Sequence, residues 1–166
     1  MRKVALSICD FRLNEIICGL IMNNMTWSNL SPYHLGQAAK IYAKNELASQ
    51  GFKVEDNRIV FRVWNKQDKQ FEIIVRSVRN KNYAFIVKTR FDILKENLFL
   101  FFLLFEDGLS PKMYLIPACD WQYPNKLLRD RPYINKQSPP EYGVCITKEN
   151  EYMLEEYEFT RQIKNI

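Results

Sequence analysis

Histidine is nearly missing from this chain. His34 is the one copy in 166 residues, so a His-rich metal centre or a His-paired nucleophile would have to be built around it. Beside the start of a helix it reads as a surface or capping group. Cysteine is scarce as well. Cys9, Cys18, Cys119 and Cys145 form no C-x-x-C pair, and their spacing suits no zinc site. They read as reduced, mostly buried thiols of a cytoplasmic protein. Long apolar runs are missing too. "LFLFFLLF", Leu98 to Phe105, has eight residues, too few to span a bilayer. The opening "MRKVALSICDFRLNEIICGLIMNNM" is interrupted by Asp10, Arg12, Asn14 and Glu15 and lacks a small-residue cleavage site. Neither a secretion signal nor a membrane partner is expected. There is no internal repeat and no low-complexity tract.

What is present is the composition of one folded domain. Apolar residues make up 47% and aromatics 14%, enough for a single sizeable core. Lys and Arg number 24 against 19 Asp and Glu, a net charge of +5. That excess permits an anionic partner without demanding one. Residues 1–30 read as an irregular lead-in, within which Met22 and Met25 are alternative starts, and residues 31–166 as a single domain.

"SPYHLGQAAKIYAKNELASQG" predicts a helix capped at Ser31 and ended by Gly51. Its Leu35, Ala38, Ala39, Tyr42, Ala43 and Leu47 share one face. Period-two alternation predicts strands over 59–64, 71–77 and 83–88, with Glu72, Ile74 and Arg76 on one face of the second. "RFDILKEN" reads as a helical turn. Leu98 to Phe105 is apolar on both faces, as a covered central strand must be. "KMYLI" returns as a strand that stops at Pro117. A polar stretch follows over 118–140, and "TKENEYMLEEYEFTRQI" predicts a closing helix with Thr147 as N-cap and Tyr152 on its packing face. The whole predicts an α/β layered domain.

Three phrases carry a family resemblance. They are "LGQAAKIYAKNELASQGFKV", "ENLFLFFLLFEDGLSPKMYLIPACDW" and "SPPEYGVCITKENEYMLEEYEF". In this order they resemble the PD-(D/E)XK nuclease superfamily, in particular small prokaryotic nuclease-like domains and Holliday-junction-resolvase-like domains. The resemblance implies a restriction-endonuclease-like core, a mixed sheet of about five strands flanked by helices. It also implies carboxylates converging on Mg²⁺ with a lysine nearby, because Mg²⁺ takes hard oxygen ligands and activates a water against the scissile phosphate.

Carried over residue by residue, the implied positions are unfilled. The first-helix Glu falls near Lys40 and the second-strand Asp near Phe61. The third-strand Glu or Gln falls on Ile74, and the Lys on Arg76. Arginine binds phosphate well but is effectively never deprotonated. Asp56 and Asp68, both in predicted turns, and Glu72 are the nearest acids, with Asp56 and Glu72 the candidates for a relocated ligand. The pattern implies a catalytically degenerate nuclease fold that binds nucleic acid or protein and carries no cofactor. One alternative is a Mg²⁺-dependent endonuclease with relocated ligands. Another is a regulatory or interaction subunit without nucleic-acid contact.

The segment from Arg76 to Arg90 holds Arg76, Arg79, Lys81, Lys88 and Arg90 and no acid. With Tyr83 and Phe85 beside them, these residues could follow the backbone of a nucleic acid, DNA above all. The reading favoured by residue type alone is a solvated strand edge kept from aggregating by its charge. A second basic stretch, "NKLLRDRPYINK", reads as a surface loop.

Overall fold

The structure is a computed structural model that describes residues 26–80, 82–134 and 137–166. Helix α1 spans Pro32–Ser49. The Ser31 side chain accepts from the His34 N–H at 3.2 Å, and Pro32 occupies the first turn, where its missing N–H has no cost. The helix ends in a Schellman motif. The Gly51 N–H donates to the Ala48 carbonyl and the Phe52 N–H to the Leu47 carbonyl, with Gly51 at φ +89°. That backbone conformation is strained for any residue with a Cβ.

The main sheet has five strands in the order β1-β2-β3-β5-β6. β1 is Lys53–Asn57, β2 Val60–Trp64, β3 Gln70–Arg79, β5 Leu98–Phe105 and β6 Lys112–Pro117. β1, β2 and β3 form an antiparallel meander, β5 runs parallel to β3, and β6 returns antiparallel to β5. Helix, meander, doubly covered strand and return are the order expected from the sequence. The fold is α/β, with helices flanking a mixed five-stranded sheet.

All eight residues of β5 are buried, as their two-sided apolarity requires. Phe99, Phe101, Leu103 and Phe105 meet α1, which presents Ala38, Ala39 and Ala43. Small helix residues against large strand residues let the two layers approach closely. Leu98, Leu100, Phe102 and Leu104 form the opposite core.

That opposite core is closed by a second sheet, and here the structure corrects the sequence reading. The strand expected over 83–88 is not part of the meander. As β4, Tyr83–Val87, it pairs with β8, Glu141–Cys145, in a three-stranded sheet β4-β8-β7. The parallel β3/β5 pair demands a crossover, and its described residues lie across the face as β4, a 3-10 turn at Lys88–Arg90 and turns, with no α-helix among them. The polar stretch and the second basic loop hold β7, Leu128–Arg131, with Leu127 and Leu128 fully buried. Buried Asn150 fixes this layer. Its side chain accepts from the Thr147 N–H and donates to the carbonyls of Lys126 and Cys145.

The closing helix is also corrected. Residues Glu151–Tyr157 form a 3-10 helix and Phe159–Gln162 a single α-turn, α2. Between them Glu158 is extended (φ −51°, ψ 130°) and bridges Tyr114 on the open edge of β6. Pairing with that edge interrupts the helix, and Tyr152, expected on the packing face, is 69% exposed. Thr147 lies ahead of the 3-10 segment, four residues before its first residue.

The lead-in is partly structured. Trp27–Asn29 form a 3-10 turn, and Trp27 is fully buried against Phe105, 4.7 Å between ring centroids, with its Nε1–H donating to the Leu109 carbonyl at 3.0 Å. Residues 1–25, with Cys9, Cys18, Met22 and Met25, lie outside the described residues.

Candidate nucleic-acid interface

Arg76 sits near the end of β3, where α1 lies on one side and β4 on the other. Its Nε–H donates to the Phe85 carbonyl at 3.3 Å and its Nη1 to the Val75 carbonyl at 2.8 Å. Two backbone acceptors therefore aim the guanidinium. Burial, and after it the positive charge of Arg90, holds the Arg76 pKa below its ordinary value. An arginine so placed is still charged. It is a half-buried cation that shares a cavity with a second one, an arrangement that an anion relieves.

Cavities open on both sides of Arg76. One, of about 310 Å³, lies among Arg76, Ser77, Tyr83, Phe85 and Arg90. The other, of about 300 Å³, lies among Tyr33, Gly36, Gln37, Lys40, Arg76 and Ser77. Among the described residues, neither cavity has an acidic side chain in its lining. Together they make a groove from the N-terminal half of α1, across β3, to the outer side of β4.

The positions aligned with the nuclease family do not converge. Lys40 borders the groove, and its Nζ donates to the Arg58 carbonyl in the β1-β2 turn. Phe61 is buried in the core beneath α1, whereas Ile74 is buried in the opposite core. Asp56, expected in a turn, is a residue of β1, where its Oδ1 accepts from the Arg58 N–H at 2.9 Å. Glu72 faces a third cavity of about 230 Å³, beside Lys88, Arg90, Asp92 and Lys95. Its Oε2 accepts from Lys95 Nζ at 2.8 Å, and Asp92 Oδ1 is turned to the Leu94 N–H at 3.0 Å. No group of three or more His, Cys, Asp or Glu gathers among the described residues. The Mg²⁺ that the resemblance implies does not fit this set. Lys40, Phe61 and Ile74, at or near the positions where the resemblance expects hard oxygen ligands, offer a cation and two hydrocarbon side chains.

The basic residues of the 76–90 segment separate in space. Arg76 and Arg90 line one cavity, and Arg90 also borders the cavity of Glu72. Arg79 turns away, its Nη1 donating to the carbonyls of Ser28 and Leu30 at 2.7 and 2.8 Å. Lys88 pairs with Asp130 Oδ1 at 2.6 Å and lies over the Tyr142 ring. Lys81 is outside the described residues.

Sequence reasoning missed the network that positions Tyr83. Its hydroxyl and that of Tyr133 both donate to Glu141 Oε1, at 2.8 and 3.0 Å. Arg131 lies 4.0 Å from the centre of the Tyr83 ring and 3.7 Å from the same carboxylate oxygen. A Cβ on Gly143 would meet the Tyr83 ring at 2.2–2.3 Å, so only glycine fits there. The phrase "PPEYG" was the available signal, since it joins an acid and a glycine within one short strand.

No protein-family model and no curated protein matches the chain by sequence. Among solved structures the chain is similar to the Holliday junction resolvase Hjc of Archaeoglobus fulgidus. The match has 8% identity and a TM-score of 0.43, over 78% of this chain and 95% of that one. No helix among the described residues is long and apolar enough to cross a membrane.

Proposed function

We propose that this chain is a non-catalytic binding module that holds nucleic acid by its phosphates in the groove around Arg76. The observation that carries the reading is that Arg76 and Arg90 line one cavity with no carboxylate in its described lining. Two like charges on one cavity repel, and an anion bound there relieves that repulsion. Arginine is the side chain suited to that anion, because its planar fork matches phosphate oxygens two at a time.

The competing reading is the bland one, that these cations are a solvated strand edge. Arg79 and Lys88 fit it, since each is engaged within the fold. Arg76 does not, because it is half-buried and oriented and its neighbour is a cation.

The test is binding of a labelled DNA duplex and of the corresponding single strand across a salt series. Phosphate contacts make log K fall linearly with log salt. Arg76→Ala and Arg90→Ala should each weaken binding and each flatten the slope by about one unit. Absence of binding to either DNA form at low salt would sink this reading in favour of a protein partner.

A further inference from the structure

Two aromatic rings flank the Arg76 groove, one in each cavity. Tyr33, in the first turn of α1, is 70% exposed, and Phe85, on β4, is 53% exposed. Ring carbon left in water forgoes the stabilisation that burial would give. A single exposed ring needs no explanation, but one at each side of a cationic groove invites one.

The bareness of Phe85 has a local cause. Its cross-strand partner in β8 is Gly143, which has no side chain to cover it, and the neighbouring Tyr83 ring takes the place of one. The same glycine is required by the ring of Tyr83. Tyr83 is spoken for, its hydroxyl on Glu141 and one face under Arg131. Phe85 is not, and no described aromatic ring or cation stacks on it. The Phe85 carbonyl meanwhile accepts from Arg76 Nε, so the ring and the guanidinium belong to one rigid junction. The Arg90 guanidinium makes no hydrogen bond or ion pair with any described residue.

These features discriminate between forms of nucleic acid. A duplex turns its phosphates outward and hides the faces of its bases in the stack. Rings beside arginines then gain nothing from it beyond charge. A single strand offers phosphate and unstacked base faces together, and stacking on aromatic side chains is how sequence-tolerant single-strand sites gain affinity. Resting on the phosphate-groove reading above, we infer that the groove takes single-stranded nucleic acid, with backbone phosphate between Arg76 and Arg90 and bases stacked on Phe85 and Tyr33.

The experiment measures anisotropy of fluorescein-labelled oligothymidylate, oligouridylate and a blunt DNA duplex of equal length, with heparin as a base-free polyanion. The full chain should bind both single strands more tightly than the duplex. Phe85→Ala should lower single-strand affinity about tenfold, and duplex and heparin binding by much less. Phe85→Trp should keep the affinity and add a fluorescence quench, relative to wild type, when oligothymidylate is bound. Phe85→Leu, which keeps apolar bulk without a π face, should lose affinity as the alanine variant does. Duplex binding as tight as single-strand binding would overturn the inference and leave the phosphate groove standing. So would unchanged single-strand affinity in the leucine variant together with an absent quench in the tryptophan variant, and both remain readable if the alanine variant fails to fold. Binding of no strand, single or double, would overturn the groove reading and this inference together.

Discussion

Phe61 and Ile74 stand on opposite faces of the five-stranded sheet, one beneath α1 and the other beneath the second sheet. The resemblance places one metal-binding residue on Ile74 and another near Phe61; Phe61 itself points away from Ile74, and its neighbour Val60, which lines the same cavity as Ile74, has no ligand atom. Successive strand residues point to opposite faces, so only a register shift could bring Phe61 to the Ile74 side, and it would turn the whole strand over.

The non-catalytic reading proposed above predicts no metal-dependent cleavage. Supercoiled, linear and branched DNA incubated with the purified protein should remain intact in Mg²⁺ and in Mn²⁺. Nicking that co-purifies with the protein and disappears in Glu72→Ala would overturn this, and would make the Glu72 cavity, with Asp92 beside it, the catalytic centre. Loss in Asp56→Ala instead would move the centre to the β1-β2 hairpin.

Arg79 should behave differently from Arg76. Its guanidinium ties Ser28 and Leu30 to the end of β3. Arg79→Ala should cost about 1.5–3 kcal/mol of stability, the range for hydrogen bonds involving a charged group. It should change nucleic-acid affinity less than Arg76→Ala does. Chemical denaturation and anisotropy on the same two variants separate these roles, and the reverse ranking in both assays would refute them.

Trp27 should matter as much as any strand residue. It is fully buried, packs on Phe105 and Tyr42, and hydrogen-bonds the turn between β5 and β6. Trp27→Ala should cost about 3–5 kcal/mol, visible as a large drop in the denaturation midpoint. A midpoint close to wild type would show that the packing of residues 26–30 contributes little.

The parts of the fold legible in the sequence were those written in local periodicity and capping. Ser31, the 3.6-residue spacing of α1, Gly51 and the two-sided apolarity of 98–105 are each read within a few residues, and each has one physical solution. What escaped depends on partners distant in sequence. Alternation identifies β4 as a strand, but nothing local says that it pairs with Glu141–Cys145 instead of β3. The last segment has helical spacing, yet Glu158 is drawn out by the edge of β6. In the groove, the cations of 76–90 were visible as a run. That Arg79 and Lys88 are engaged elsewhere while Arg76 and Arg90 line one cavity is a property of the tertiary layout.

Alkaline pH should destabilise this protein, and the tyrosines say from where. Burial raises the Tyr83 phenol, with the hydrogen bond to Glu141 as the second cause. Burial also raises Tyr157, helped by Asp120, and pushes Tyr114 up to about 12, helped by Glu151. A phenol is neutral when protonated, so each raised value means that the folded protein holds its proton more tightly than the unfolded chain does. Above the unfolded value of about 10 the unfolded chain binds fewer protons, and stability falls with rising pH. The contribution is fully present below about pH 10 and declines from there toward the folded values. Lysines also titrate in this range, so the informative comparison is wild type against Tyr83→Phe. At neutral pH the variant should be less stable, because Glu141 loses one of its donors. As the pH rises past about 10 that difference should shrink, because phenylalanine has no proton to lose. A urea-denaturation series from neutral to alkaline pH reads this directly. A difference that stays constant or widens would show that Tyr83 does not carry the linkage assigned to it.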